Sequence, residues 1–243
     1  MNRRLLLASL AALPFARPAL AAGEWQARLI PGAFDGKLYT CGLHIVLAPG
    51  WKTYWRVPGE AGIPPDIKLE GANIASIEVA YPLPTRSQDG SGEAIGYHGE
   101  VLFPIAIKPQ DAGKPVSAKL SALFGICQQI CKPAKFEGAL DLSPNNQPGA
   151  DDALIHQWQM RLPSPASFVK AASISEKTLT LTLDRAVDDI FIEGPDGLYF
   201  RKPEFSGNTA TLKIDGDTPL SGLNLRITAA MQGKGLEQQV TVP

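Results

Sequence analysis

Leu179-Thr180-Leu181-Thr182-Leu183 alternates apolar and polar side chains without a break, the period of a strand that buries one face. The same rhythm returns at Thr209-Ala210-Thr211-Leu212-Lys213-Ile214 and at Leu223-Asn224-Leu225-Arg226-Ile227. Toward the N-terminus, strands are expected at Glu24–Ile30, Lys37–Leu47, Lys52–Arg56, Ile74–Ala80, Val101–Ile107, Val116–Phe124 and Lys135–Leu142. Pro31-Gly32, Pro49-Gly50, Pro58-Gly59 and Asp89-Gly90-Ser91-Gly92 punctuate them as turns. Many short strands with regular turn signals predict an all-β chain of immunoglobulin-like sandwiches.

One segment departs from this period. Asp151 to Leu162 carries Leu154, Ile155, Trp158 and Leu162 at helical spacing, with Asp151 and Asp152 at its start. Proline-rich stretches, Ser143–Gly149 and Pro163-Ser164-Pro165, flank it as they would a connection between domains. The expected organisation is a first sandwich over residues 23–147, a linker with a short helix over 148–165, and a second sandwich over 166–243.

Residues 1–22 read as an export signal. Arg3 and Arg4 precede an apolar run from Leu5 to Phe15, and Ala19-Leu20-Ala21-Ala22 offers cleavage near Ala21 or Ala22. The adjacent arginines also fit a twin-arginine signal. The run is shorter than the roughly 20 residues of a membrane span, so no stable membrane insertion is expected after cleavage. An exported protein lives where disulfides persist. Loss of Arg3, Arg4 and Arg17 from 23 basic residues leaves 20 against 24 acidic ones, a net charge of −4. That balance argues against a nucleic-acid partner. No phosphate loop, nucleophile motif or paired carboxylates point to hydrolysis.

The chemistry concentrates in Phe124-Gly125-Ile126-Cys127-Gln128-Gln129-Ile130-Cys131-Lys132-Pro133-Ala134. Cys127 and Cys131 are close enough to form a small disulfide ring, to share a soft metal ion or to exchange electrons with a partner. As a staple the ring is weak. A closed loop of about five residues contributes roughly 2 kcal/mol by chain entropy, against about 4.7 for a 100-residue loop. Exchange gains from adjacency, because the second sulfur resolves a mixed disulfide formed by the first. Lys132 is placed to favour the Cys131 thiolate, or is simply a solvated lysine. Pro133 is expected to end strand pairing just after the pair. The third cysteine, Cys41, reads as a small buried strand residue, or as a disulfide partner for Cys127 or Cys131. In Trp51–Trp55 the strand period puts Trp51, Thr53 and Trp55 on one face, with Tyr54 at the rim of the other. Arg56 and Glu60 flank a turn at a spacing that allows them to pair.

Gly50-Trp51-Lys52-Thr53-Tyr54-Trp55-Arg56-Val57-Pro58-Gly59-Glu60-Ala61-Gly62-Ile63-Pro64-Pro65, then Ile95-Gly96-Tyr97, then the cysteine segment resemble the N-terminal periplasmic domain of the DsbD disulfide interchange family. The match is nearest to its ScsB-type relatives and covers roughly Trp25 to Leu142. The resemblance implies a periplasmic immunoglobulin-like domain without cofactor, with Cys127 and Cys131 as the catalytic pair. That pair would take electrons from a membrane-embedded thiol donor and pass them to periplasmic thioredoxin-like proteins. Family members shield the pair with a loop bearing an aromatic residue. The corresponding stretch, Gln88–Ile95, has none here, which leaves Tyr54 and Tyr97 as the surround, with Lys132 and Pro133. Two other readings stand beside this one. The Cys-x3-Cys-x-Pro segment also resembles the copper site of Sco-type proteins, with His98 or His44 as the added ligand, although their fold is α/β. The pair would otherwise be a structural disulfide in an interaction module.

Overall fold

The computed structural model describes residues 23–60, 62–89, 92–145, 148–220 and 222–242. The export signal expected at 1–22 lies outside them. The first half contains strands β1 (Trp25–Phe34), β2 (Tyr39–Leu47), β3 (Lys52–Gly59), β4 (Asp66–Ala72), β5 (Ile74–Val79), β6 (Thr85–Asp89), β7 (Gly92–His98), β8 (Glu100–Pro109), β9 (Val116–Cys127) and β10 (Cys131–Leu142). One helix follows, α1 (Ala150–Gln159). The second half contains β11 (Ser164–Pro165), β12 (Val169–Ser175), β13 (Thr178–Leu183), β14 (Asp189–Glu193), β15 (Tyr199–Phe200), β16 (Glu204–Ser206), β17 (Thr209–Asp215), β18 (Leu223–Met231) and β19 (Lys234–Val242).

These strands make two β-sandwiches, as the period-two pattern predicts. The first packs a β1-β2-β8-β5 sheet against a β10-β9-β3-β7-β6 sheet in which β4 also pairs with β9. The second packs β11-β19-β18-β14 against β12-β13-β17-β15, with β16 on β17. Each has its own apolar centre: Leu43, Trp55, Phe103 and Phe124 in the first, Leu181, Ile190, Leu212 and Leu225 in the second.

In the first half the pattern does not announce β4, β6 and β7, and Asp89 pairs with Gly92 across a β6–β7 hairpin. Pro133 does not stop pairing. The β9–β10 ladder runs from Cys131 opposite Cys127 to Leu142 opposite Val116. It tolerates the proline because β10 is an edge strand, where a missing backbone N–H costs no ladder bond. The helix also does more than connect. Ile155 and Trp158 are buried in the first core, Asp152 accepts a hydrogen bond from the Ala33 amide at 2.9 Å, and Asp151 pairs with Arg28 at 3.0 Å.

The two sandwiches meet across a charged and aromatic junction. Arg56 on β3 reaches Glu193 at 2.6 Å and Glu237 at 2.8 Å, both in the second sandwich. Burial works against its charge, and the two carboxylates more than offset this, so its pKa is raised. Arg56 therefore does not pair with Glu60, whose partner is Arg201. Phe191 of β14 inserts beside Trp55, with ring centroids 5.8 Å apart, and so belongs to the first core.

Cys41 lies fully buried in β2 as a free thiol, pushed from 9.0 up to about 12 by that burial. The unfolded thiol ionises first, so this contribution is intact below pH 9 and declines as pH rises toward 12, at about 1.4 kcal/mol per pH unit. Buried Tyr97, raised well above its ordinary value by burial, acts in the same direction at higher pH. Urea unfolding at stepped pH should show stability falling across this window. The fall should be shallower in Cys41→Ala; an equal slope in both proteins would assign the loss elsewhere.

Candidate functional site

The cysteine pair sits where the alternation of β9 stops. Val116, Ala118, Leu120, Ala122 and Phe124 point into the core while their neighbours are exposed, but from Phe124 to Cys127 every residue is buried. The outer face is covered here. The Gly125 amide donates to the Ile63 carbonyl at 3.1 Å. A Cβ on Gly125 would lie 2.9 Å from both Ile63 and the Tyr54 ring. Gly125 is thus a close approach that lets a large side chain lie flat on the sheet.

That side chain is Tyr54. Strand period sends Trp55 into the main core and Tyr54 to the opposite face. There Tyr54, Ala94 of β7 and Cys127 form a separate buried cluster with Cys131 packed against it. Tyr54 is only 1% exposed, so it is a wall of the site and not its rim. Cys127 and Cys131 are joined in a disulfide at the turn end of the β9–β10 hairpin, with Cα atoms 4.1 Å apart. The Tyr54 hydroxyl lies 3.0 Å from Cys131 Sγ. The two cysteines are unequal: Cys127 is fully buried and Cys131 is partly exposed. Ile130, between them, stands 72% exposed.

The other residues singled out from sequence are placed as follows. Tyr97 faces the main core and its hydroxyl donates to the Pro82 carbonyl at 2.8 Å, so it does not join the cysteine cluster. Strand period explains this: Ala94 and Gly96 share the outer face of β7, Ile95 and Tyr97 the inner. Lys132 directs its ammonium to Glu24 at 2.5 Å and over the Trp51 ring at 5.2 Å. Pro133 is exposed opposite Gly125. His44 bonds Glu100 at 3.1 Å, and His156 lies on α1. Among the described residues no group of three or more His, Cys, Asp or Glu side chains is placed to hold a metal. Ala94 carried no signal in the sequence; only the strand pairing brings it to the sulfurs.

Residues 24–140 match the model of the thiol:disulfide interchange protein DsbD N-terminal family. The family likeness is carried by this stretch, a little under half of the chain. The N-terminal periplasmic domain of ScsB from Proteus mirabilis superposes with a TM-score of 0.73 at 22% identity, over 90% of this chain and 93% of that one. It therefore shares the tandem-sandwich fold. The reduced Neisseria meningitidis DsbD N-terminal domain aligns at 18% identity over 49% of this chain and 86% of its own. Its TM-score of 0.28 is too low to bear on the argument. No curated protein matches the chain. The DsbD family context and the cysteine pair together support thiol:disulfide interchange as the general chemistry.

A hydroxyl on a sulfur stabilises its thiolate, and a hydrogen bond to a charged group is worth about 1.5–3 kcal/mol. Tyr54→Phe should therefore raise the Cys131 thiol pKa of the reduced protein by about one unit or more, read from the pH dependence of iodoacetamide alkylation. An unchanged profile would show that the hydroxyl does not serve the thiolate. Gly96 pairs with Tyr54, and a Cβ there would meet the Thr53 carbonyl oxygen at 2.0 Å. Gly96→Ala should cost about 1–3 kcal/mol of stability in urea unfolding as β3 and β7 are forced apart.

Proposed function

We propose that this chain is a periplasmic thiol:disulfide interchange protein that relays electrons through Cys127 and Cys131. In this reading the donor is a membrane-embedded thiol protein and the acceptors are periplasmic thioredoxin-like proteins. Residues 1–22 direct export and are cleaved near Ala21 or Ala22. The first sandwich carries the pair, and residues 148–165 connect it to the second.

The observation that carries the reading is the asymmetric disulfide. It joins a buried cysteine to a partly exposed one, beside a tyrosine hydroxyl, at the turn end of a hairpin. A buried structural staple would expose neither sulfur. Exchange requires an attacking thiolate to approach along the S–S axis, and Cys131 is the sulfur it can reach. The donor thiolate attacks Cys131 Sγ. A donor–Cys131 bond forms, the Cys127–Cys131 bond breaks, and the electron pair leaves on Cys127 Sγ. Because Cys127 is buried, its thiolate is disfavoured and takes up the proton that the donor thiol released. The donor's second thiolate then attacks the donor sulfur of the mixed disulfide. The donor leaves oxidised, and Cys131 leaves as a thiolate beside the Tyr54 hydroxyl. Transfer onward reverses these steps: Cys131 attacks the acceptor disulfide and Cys127 resolves the product.

Two measurements test this. The reduction potential of the pair, from alkylation and mass shift in graded thiol buffers, should fall between about −180 and −300 mV; a value well below about −300 mV would mark a structural disulfide. Cys127→Ala, which leaves Cys131 unresolved, should trap a mixed disulfide with a periplasmic or membrane thiol protein, and Cys131→Ala should trap far less. Trapping by neither variant would overturn the relay.

A further inference from the structure

The β6–β7 hairpin has two working faces. On β7, Ala94 faces the disulfide in the cluster with Tyr54, Cys127 and Cys131. Glu93 and Ile95 alternate to the other face, where Arg86 of β6 stands opposite Ile95. With Ile192, Tyr199 and Phe200 of the second sandwich, these three line a cleft between the two halves. The hairpin is therefore a layer between the sulfurs and the second sandwich.

Its attachment to that sandwich is specific. The Arg86 side chain is 8% exposed, and its guanidinium donates on three sides. Nε donates to Asp189 Oδ2 at 3.0 Å, Nη2 to the Ile190 carbonyl at 2.8 Å, and Nη1 to Glu93 of the neighbouring strand. The same guanidinium lies 5.2 Å from the centre of the Phe191 ring. A second tie runs from Arg201 of the second sandwich to Glu60, which accepts from the Glu93 amide at 3.3 Å. Both ties end on Glu93, the residue next to Ala94.

We infer that the second sandwich acts as a clamp that holds the β6–β7 hairpin over the disulfide, with Arg86 as the positioning residue for exchange at Cys131. The inference rests on the exchange proposed above and assigns that chemistry a role for the C-terminal half. Arg86 touches neither sulfur. It acts by fixing Glu93, and through Glu93 the backbone that presents Ala94. A guanidinium suits this task because its rigid fork sets direction as well as attraction.

The test uses the whole mature chain with Arg86→Gln and, separately, Asp189→Asn. The second change is the milder, since Arg86 keeps Glu93 and the Ile190 carbonyl. For each, the disulfide is reduced by dithiothreitol over a range of concentrations, with circular dichroism to confirm the native fold. A rate proportional to thiol concentration identifies attack on the folded protein rather than on an unfolded fraction. Loosening the clamp should raise that second-order rate at least about fivefold in both variants, the scale of a typical coupling between sites. A merely structural salt bridge would lower the melting temperature and leave the rate of the folded protein unchanged. If Arg86→Gln fails to fold, Asp189→Asn decides alone. Unchanged or slower reduction of folded Asp189→Asn overturns the clamp. Failure of the exchange reading is distinguishable, because the wild-type pair would then resist reduction in the thiol buffers that reduce exchange-competent disulfides.

Discussion

Strand β3 is buried on both faces, and the arrangement of the first sandwich follows from that constraint. It lies between β9 and β7, sending Trp55 into the main core and Tyr54 to the outer face. Aromatic side chains bury about 150–250 Å² each. At roughly 25 cal/mol per Å², an upper estimate, each contributes on the order of 4–6 kcal/mol. A strand anchored by two such groups in opposite directions cannot slip by one residue, because slipping would exchange their environments. The Tyr54 hydroxyl is thus held against Cys131 by the register of the sheet, with Gly96 and Gly125 leaving room for the ring and strand beneath and beside it.

The same constraint divides the two sulfurs. Cys127 ends β9 under Tyr54 and Ala94, whereas Cys131 begins an edge strand and retains access. Burial disfavours a thiolate by desolvation, and an exposed sulfur beside a hydroxyl can carry the charge. Cys41 shows the limiting case: entirely enclosed and without a donor, its thiol is pushed up to about 12. One chain therefore holds cysteines fully enclosed, enclosed but disulfide-linked, and accessible. Their chemistry is graded by enclosure and by which face of a strand each occupies.

Much of this was legible before any coordinates. Regular alternation marks Leu179–Leu183 and its partners as half-buried strands, and the motif order from Gly50 to Ala134 points to the DsbD family. The opposed faces of Tyr54 and Trp55 follow from strand period alone. What escaped reading has physical causes. Asp66–Ala72 forms β4 but offers only Ile67 and Leu69 as apolar alternation among charged residues and glycine, too little to separate it from a loop. The β6–β7 hairpin is hidden because Thr85–Asp89 has no apolar residue to alternate. Tyr97 was grouped with the sulfurs for its place in the motif order, yet one step of strand period sends it to the core. The junction could not be read from spacing at all: Arg56 and Glu237 are 181 residues apart, and Arg86 and Asp189 are 103.

The junction's composition bears on why two sandwiches are joined in this way. A purely apolar interface would hold them together at least as well, since buried ion pairs are often no more stabilising than well-packed hydrophobic groups. Apolar packing, however, tolerates small sliding displacements. Phe191 beside Trp55 supplies the apolar contact, and the arginines add direction to it. Arg56 points its guanidinium at two carboxylates, and Arg86 spends its donors on two carboxylates and a backbone carbonyl. Displacing either would leave buried charges uncompensated, which costs far more than the pairs contribute when intact. The junction is therefore stiff against sliding. That stiffness is directed at β3 and the β6–β7 hairpin, the two elements that supply Tyr54 and Ala94 to the disulfide.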